Sequence, residues 1–93
     1  MKTLKTSSQY RKDLKRYKHQ PSKLEALRIV LEKLANEQPI PAEYQPHKLL
    51  GEYEGCLECH VQGDFLLIWI DEKQDIIELV RLGFHSELFG KKR

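Results

Sequence analysis

A chain of 93 residues, 40% of them hydrophobic, has room for one small core and none for a second cofactor-binding unit, so it reads as a single domain over residues 1–93. The net charge is only +2, but residues 1–23 hold eight Lys/Arg against the lone acid Asp13, residues 24–90 hold five bases and thirteen acids, and Lys91, Lys92 and Arg93 close the chain. The opening residues are polar and Lys-rich and no apolar run approaches the ~20 residues that span a bilayer, which argues against a signal peptide or membrane helix and predicts a soluble, cytoplasmic protein.

Residues 2–6 suit a short strand. Ser7 or Ser8 can cap a helix whose apolar contacts at Tyr10, Leu14 and Tyr17 have helical spacing. Gln20-Pro21 stops it, and Ser22-Lys23-Leu24-Glu25 has the form of a capping box that opens a second helix. Leu24, Leu27, Val30, Leu31 and Leu34 form its apolar stripe, which ends before Pro39 and Pro41. Residues 39–53 read as a loop that holds His47 and Gly51.

Three strands follow, over about residues 54–61, 64–71 and 76–83, joined by short turns that make them antiparallel neighbours. The run from Phe65 to Ile70 is apolar at every position, which predicts a central strand covered on both faces. In the strand before it, alternation puts Leu57, Cys59 and Val61 on one face and Cys56, Glu58 and His60 on the other. That second face, turned away from the helices, is the expected floor of a cleft. The predicted class is α+β, with an N-terminal strand and two-helix hairpin packed on an antiparallel sheet in the order β-α-α-β-β-β.

The chemistry-bearing residues gather in the second half. His47, His60 and His85 alternate with Glu58, Asp64 and Arg81 and are followed by Phe89. Cleaving a phosphodiester by acid-base catalysis needs one group to take a proton and one to give it near neutral pH, where imidazole titrates. Arginine can hold the phosphate, and an aromatic ring can stack on an unpaired base. The set points to RNA, whose ribose 2′-hydroxyl can attack the adjacent phosphorus while an acid protonates the departing 5′-oxygen. His60 or Glu58 suits the base, His85 the acid, and Arg81 the developing phosphate charge, although base and acid can be exchanged. Asp64 either shapes a turn or orients a histidine. Phe89 either docks on the core or stacks on a base, and Lys12, Lys15 and Arg16 form either a solvated helix face or a phosphate-binding footprint.

Other uses of these residues fit less well. Cys56-Leu57-Glu58-Cys59-His60 matches a haem-attachment pattern, but that chemistry needs export and a second axial ligand, and the chain's only methionine is Met1. Two thiols on opposite faces of a strand do not share a metal. The histidines have no paired-ligand spacing, so no metal or other cofactor is expected. His19, at the end of a lysine-rich helix, is assigned no chemistry.

Three motifs carry a family resemblance: Gln-Pro-His-Lys-Leu-x-Gly around His47; Glu58-x-His60-Val61-x-x-Asp64; and Arg81-Leu82-Gly83-x-His85-Ser86-x-Leu88-Phe89-Gly90. Over nearly the whole chain the sequence resembles the YafQ-type branch of the RelE/ParE toxins of bacterial toxin-antitoxin systems. The resemblance implies a compact RelE-like fold and a metal-independent endoribonuclease that cuts translated mRNA in the ribosomal A site. It also implies a cognate antitoxin and, through the pair, contact with operator DNA. His47, His60, Asp64, His85 and Phe89 match the family's functional positions, and Arg81 matches the arginine before the Gly-x-His segment. Glu58 stands where close relatives have aspartate, and Leu57 where a relative has arginine. Two rival readings are a ParE-like inhibitor of DNA gyrase, which needs no histidines around a cleft, and a noncatalytic module that binds nucleic acid or protein.

Overall fold

The computed structural model describes residues 1–72 and 75–90. The closing basic cluster, and two residues of the turn expected over 72–75, lie outside the described residues. Five strands form one sheet: β1 (Thr3–Thr6), β2 (His47–Lys48), β3 (Leu57–Gln62), β4 (Phe65–Glu72) and β5 (Ile76–Phe84), in the spatial order β1-β5-β4-β3-β2. Three helices accompany them: α1 (Ser8–Lys15), α2 (Pro21–Ala35) and α3 (His85–Phe89).

Strand β4 is central because every residue from Phe65 to Trp69 can be buried, and all five are. The expected antiparallel partners are present, with β3 on one side and β5 on the other. The sheet is nevertheless mixed. β1 runs parallel to β5, pairing Thr3 with Ile76 and Thr6 with Leu79. The stretch expected to be a loop also contributes the two-residue strand β2, which pairs His47 with Glu58 and Lys48 with Leu57.

Helices α1 and α2 cover one face of the sheet. Leu27, Val30 and Leu34 of the α2 stripe are buried with Cys59, Val61, Leu67, Trp69 and Leu82, each large aliphatic contributing roughly 1.5–3 kcal/mol by leaving water. The helix does not begin on a capping box. Pro21 occupies the first turn, where its missing N–H costs nothing, and neither proposed cap partner is free. Ser22 Oγ accepts from Gln62 Nε2 at 3.0 Å, and Glu25 pairs with Arg28.

Ser7 caps α1 by accepting from the Tyr10 N–H at 2.9 Å, and it also ties the helix to β5 by donating to the Val80 carbonyl. Beyond Leu79, β5 has no strand on its outer side among the described residues, and α1 lies along that edge.

The opposite face carries a smaller apolar cluster of Cys56, Leu66, Ile68 and Leu88, flanked by Leu49, Tyr53, Val80 and Phe89. The alternation read along β3 is therefore correct, with Cys59 in the helix-side core and Cys56 in this second cluster. Helix α3, not anticipated from sequence, folds onto this face at Gly83. A Cβ there would approach Glu87 Oε1 to 3.0 Å and Tyr17 Oη and Leu88 Cδ2 to 3.3 Å, so only glycine admits the helix so closely. Glu87 fixes the start of α3 by accepting from the Phe84 N–H and from the Tyr17 hydroxyl. No helix among the described residues is long and apolar enough to cross a membrane.

Candidate active site

The register brings the predicted residues into two neighbouring rows across one sheet face. One row runs Glu58, Ile68, Arg81 and the next runs His60, Leu66, Gly83, with His85 two residues further on. Strands lie ~4.8 Å apart, so the backbones at the ends of a row are ~10 Å apart. Long side chains can reach inward over that distance.

Hydrogen bonds orient the members of these rows. The His60 Nδ1 atom lies 2.9 Å from the Gly63 carbonyl. A carbonyl only accepts, so Nδ1 carries the proton and Nε2 of the neutral ring keeps its lone pair. Gly63 makes this tight turn with φ +60°. Asp64, beside it, is exposed, and its carboxylate forms no hydrogen bond among the described residues. What it contributes to the histidines is its backbone carbonyl, which accepts from the His85 N–H at 3.1 Å.

His85 is exposed at the start of α3, with its ring 4.8 Å from that of Phe89. Phe89 meets the edge of Tyr53 at 5.5 Å. The phenylalanine is half-buried, which leaves part of its ring exposed.

His47 occupies the outer edge of the sheet. Its Nδ1 lies 2.8 Å from the Gln45 carbonyl and its Nε2 lies 3.0 Å from Glu58 Oε1. Since both facing atoms are acceptors, both contacts can be hydrogen bonds only if a proton lies between the imidazole and the carboxyl. Glu58 is 4% exposed, so this part of the cleft floor is covered, contrary to the open polar face expected from alternation. Its second oxygen, Oε2, has no hydrogen-bond partner among the described residues.

Arg81 is held by a residue that sequence reasoning missed. Asp13 of α1 is 1% exposed and accepts from Arg81 Nε at 2.7 Å, Arg81 Nη2 at 3.2 Å, the Leu82 N–H at 3.0 Å and Gln9 Nε2 at 3.1 Å. Burial pushes the Asp13 carboxyl up, but the guanidinium, the Leu82 amide and Gln9 outweigh it and hold the group below the usual carboxylate range. Arg81 Nη1 donates to the Tyr53 hydroxyl at 3.2 Å. Of the five guanidinium N–H groups, two remain for a phosphate. The available signal for Asp13 was its isolation as the lone acid in a basic run. Tyr53, in a loop, gave none.

Lys12, Lys15 and Arg16 lie on the exposed side of α1, and Arg16 Nη1 comes within 3.9 Å of Glu87. Leu57 packs against the helix-side core, away from the cleft floor. Both cysteines are free and buried on opposite faces, and burial pushes the Cys59 thiol up to about 12, which makes it inert. Among the described residues no three His, Cys, Asp or Glu side chains are grouped to hold a metal.

A family described as "Bacterial toxin of type II toxin-antitoxin system, YafQ" matches residues 2–90. The mRNA interferase toxin YafQ of Escherichia coli K12 is 34% identical over 86 residues, covering 90% of this chain and 91% of its own. A toxin YafQ of Haemophilus influenzae is 42% identical over 57 residues, 58% of this chain and 56% of its own length. In the crystal structure of the E. coli DinJ-YafQ toxin-antitoxin complex, the matching chain is 31% identical with a TM-score of 0.83 over 96% of this chain and 98% of that one. A metal-bound toxin from Helicobacter pylori is 42% identical with a TM-score of 0.85 over 96% and 100% of the two chains.

Proposed function

Since this chain belongs to the YafQ family of toxins of type II toxin-antitoxin systems, we propose that it is a ribosome-dependent endoribonuclease that cuts translated mRNA in the A site. The observation that carries the reading is the His60 ring, pinned through Nδ1 to the Gly63 carbonyl on the same sheet face as Arg81.

In this mechanism Nε2 of His60 takes the proton of a ribose 2′-hydroxyl. The 2′-oxygen forms a bond to the adjacent phosphorus as the bond from phosphorus to the 5′-oxygen breaks. His85, protonated, gives its proton to that departing oxygen, leaving a 2′,3′-cyclic phosphate and a 5′-hydroxyl. The two free N–H groups of Arg81 meet the charge that builds on the phosphate, and because Asp13 and Tyr53 already hold the guanidinium, little reorganisation is needed. Glu58, 3.0 Å from His47 Nε2, holds that imidazole at the edge of the same sheet face. Asp64 holds the His85 backbone in register with the turn. No step requires a metal or other cofactor.

Phe89 stacks on a base of the codon, and Lys12, Lys15 and Arg16 contact ribosomal RNA phosphates. The protein works where ribosomes are, in the cytoplasm. A cognate antitoxin holds it inactive, as DinJ is partnered with the E. coli relative, and the pair binds operator DNA.

The test is primer extension on a translated reporter mRNA after brief expression of wild type, His60→Ala and His85→Ala, with folding checked by circular dichroism. Wild type should cut in frame, and each folded variant should lose ~10²–10⁴-fold in rate. A folded wild type that arrests growth without cutting would redirect the reading to a gyrase-type target or to a noncatalytic binding module.

A further inference from the structure

Beside His60, at the edge of the sheet, lies a cavity of about 310 Å³ that the acid-base set does not use. Its volume is at the lower end of the range for small-ligand sites. Glu43 and Tyr44 of the short 3₁₀ turn Ala42–Tyr44 form one wall, followed by Gln45, while Gln62 and Gly63 at the end of β3 form the other.

The chemistry of the wall selects among ligands. It contains a carboxylate, Glu43, and no lysine or arginine, so a phosphate is disfavoured and a neutral group is favoured. Gln62 has its Nε2 committed to Ser22 Oγ, which leaves its carbonyl oxygen to accept. Gln45 has both main-chain groups engaged, its N–H with the Ala42 carbonyl at 2.9 Å and its carbonyl with His47 Nδ1. Those contacts hold it at φ +51°, a left-handed conformation that a glutamine rarely adopts. Its side-chain amide makes no hydrogen bond among the described residues. The half-buried Tyr44 adds aromatic surface. Acceptors therefore predominate, one amide both gives and accepts, and an aromatic ring lies alongside.

We propose that this cavity is a nucleobase subsite that reads the base next to the scissile phosphate and favours bases with an exocyclic amine over uracil. An exocyclic amine can donate to the Gln62 carbonyl or the Glu43 carboxylate, and a glutamine amide can pair with a base edge that presents a donor beside an acceptor. Uracil offers no exocyclic amine to these acceptors. The inference rests on the nuclease reading, because it is His60, one of the residues lining the cavity, that places it beside the cut.

The experiment maps 5′ ends of cleaved mRNA across many transcripts for wild type, Gln62→Leu and Glu43→Gln. Both positions are exposed and neither side chain takes part in the acid-base chemistry. Wild type should discriminate against uracil at one position flanking the cut, and the variants should relax that bias roughly tenfold with total cutting unchanged. A wild-type bias identical in both variants overturns the subsite while leaving the nuclease intact, as does cutting with no base preference. Absence of cutting by folded wild type overturns the nuclease reading, and the subsite with it.

Discussion

Asp13 and Glu58 are both buried carboxylates, 1% and 4% exposed, and they are provided for in opposite ways. Asp13 accepts four hydrogen bonds, two of them from a guanidinium. Glu58 has a single contact, to His47, and one oxygen without a partner among the described residues. Desolvating a carboxylate costs several kcal/mol unless partners replace the lost water. At Asp13 that replacement is complete, and the result is a fixed brace for Arg81. At Glu58 it is incomplete, so stability is forgone at a residue that faces an imidazole. Of two groups with equal burial, the less satisfied one is the better candidate for chemistry.

The contrast is sharpest when each group is removed. Asp13→Ala should cost ~3–5 kcal/mol in urea unfolding, because it leaves the Arg81 charge and the Leu82 N–H without their partner. Glu58→Gln should change stability by no more than ~1 kcal/mol while lowering the cleavage rate ~10²–10⁴-fold. Equal destabilisation by the two substitutions would erase the distinction.

A finer test uses Tyr53→Phe, which keeps the ring against Phe89 but removes the hydroxyl that accepts from Arg81. It should cost ~0.5–1.5 kcal/mol in stability and lower kcat more than it raises KM. A pure KM effect would mean that the hydroxyl does not position the guanidinium for the transition state.

Acid titration separates the carboxylates again. The Asp13 carboxyl is depressed in the fold, so its stabilisation is present in full above the unfolded value near ~3.9 and is lost as pH falls through the lower folded value. Thermal melts of Asp13→Asn should lack that part of the acid limb, whereas Glu58→Gln should retain it. The smallest expected effect is that of chelation. The H. pylori relative was crystallised with metal, yet the chemistry proposed here runs on side chains, so a zinc- and copper-selective chelator should leave cutting unchanged. Loss of activity that added metal restores would show that the reaction needs a cation which the side-chain mechanism leaves out.

Local patterns made most of the scaffold readable. The α2 stripe, the unbroken apolar run of β4 and the alternation of β3 each follow from one segment's own periodicity, and each was found where expected. Partners distant in sequence were not readable. Arg81 was singled out, but the residue that holds it lies 68 positions away, among basic neighbours that disguise a buried carboxylate as part of a solvated helix. The parallel pairing of β1 with β5 and the two-residue β2 are likewise settled by tertiary contacts. The capping-box reading at Ser22 failed because Pro21 and the side chain of Gln62 had stronger claims on the same groups. Asp64 was correctly placed at a turn, but only the folded chain shows that its backbone, through the His85 N–H, links the two histidine-bearing segments.

The pairing of the first strand with the last also governs when the protein can become active during its own synthesis. Thr3 must wait for Ile76, and the carboxylate of Asp13 must wait for Arg81, so neither the sheet nor the Asp13–Arg81 pair can close until β5 has emerged. Closure of the sheet is therefore a late event of synthesis, set by the arrival of β5 and not by the local propensities of the segments before it.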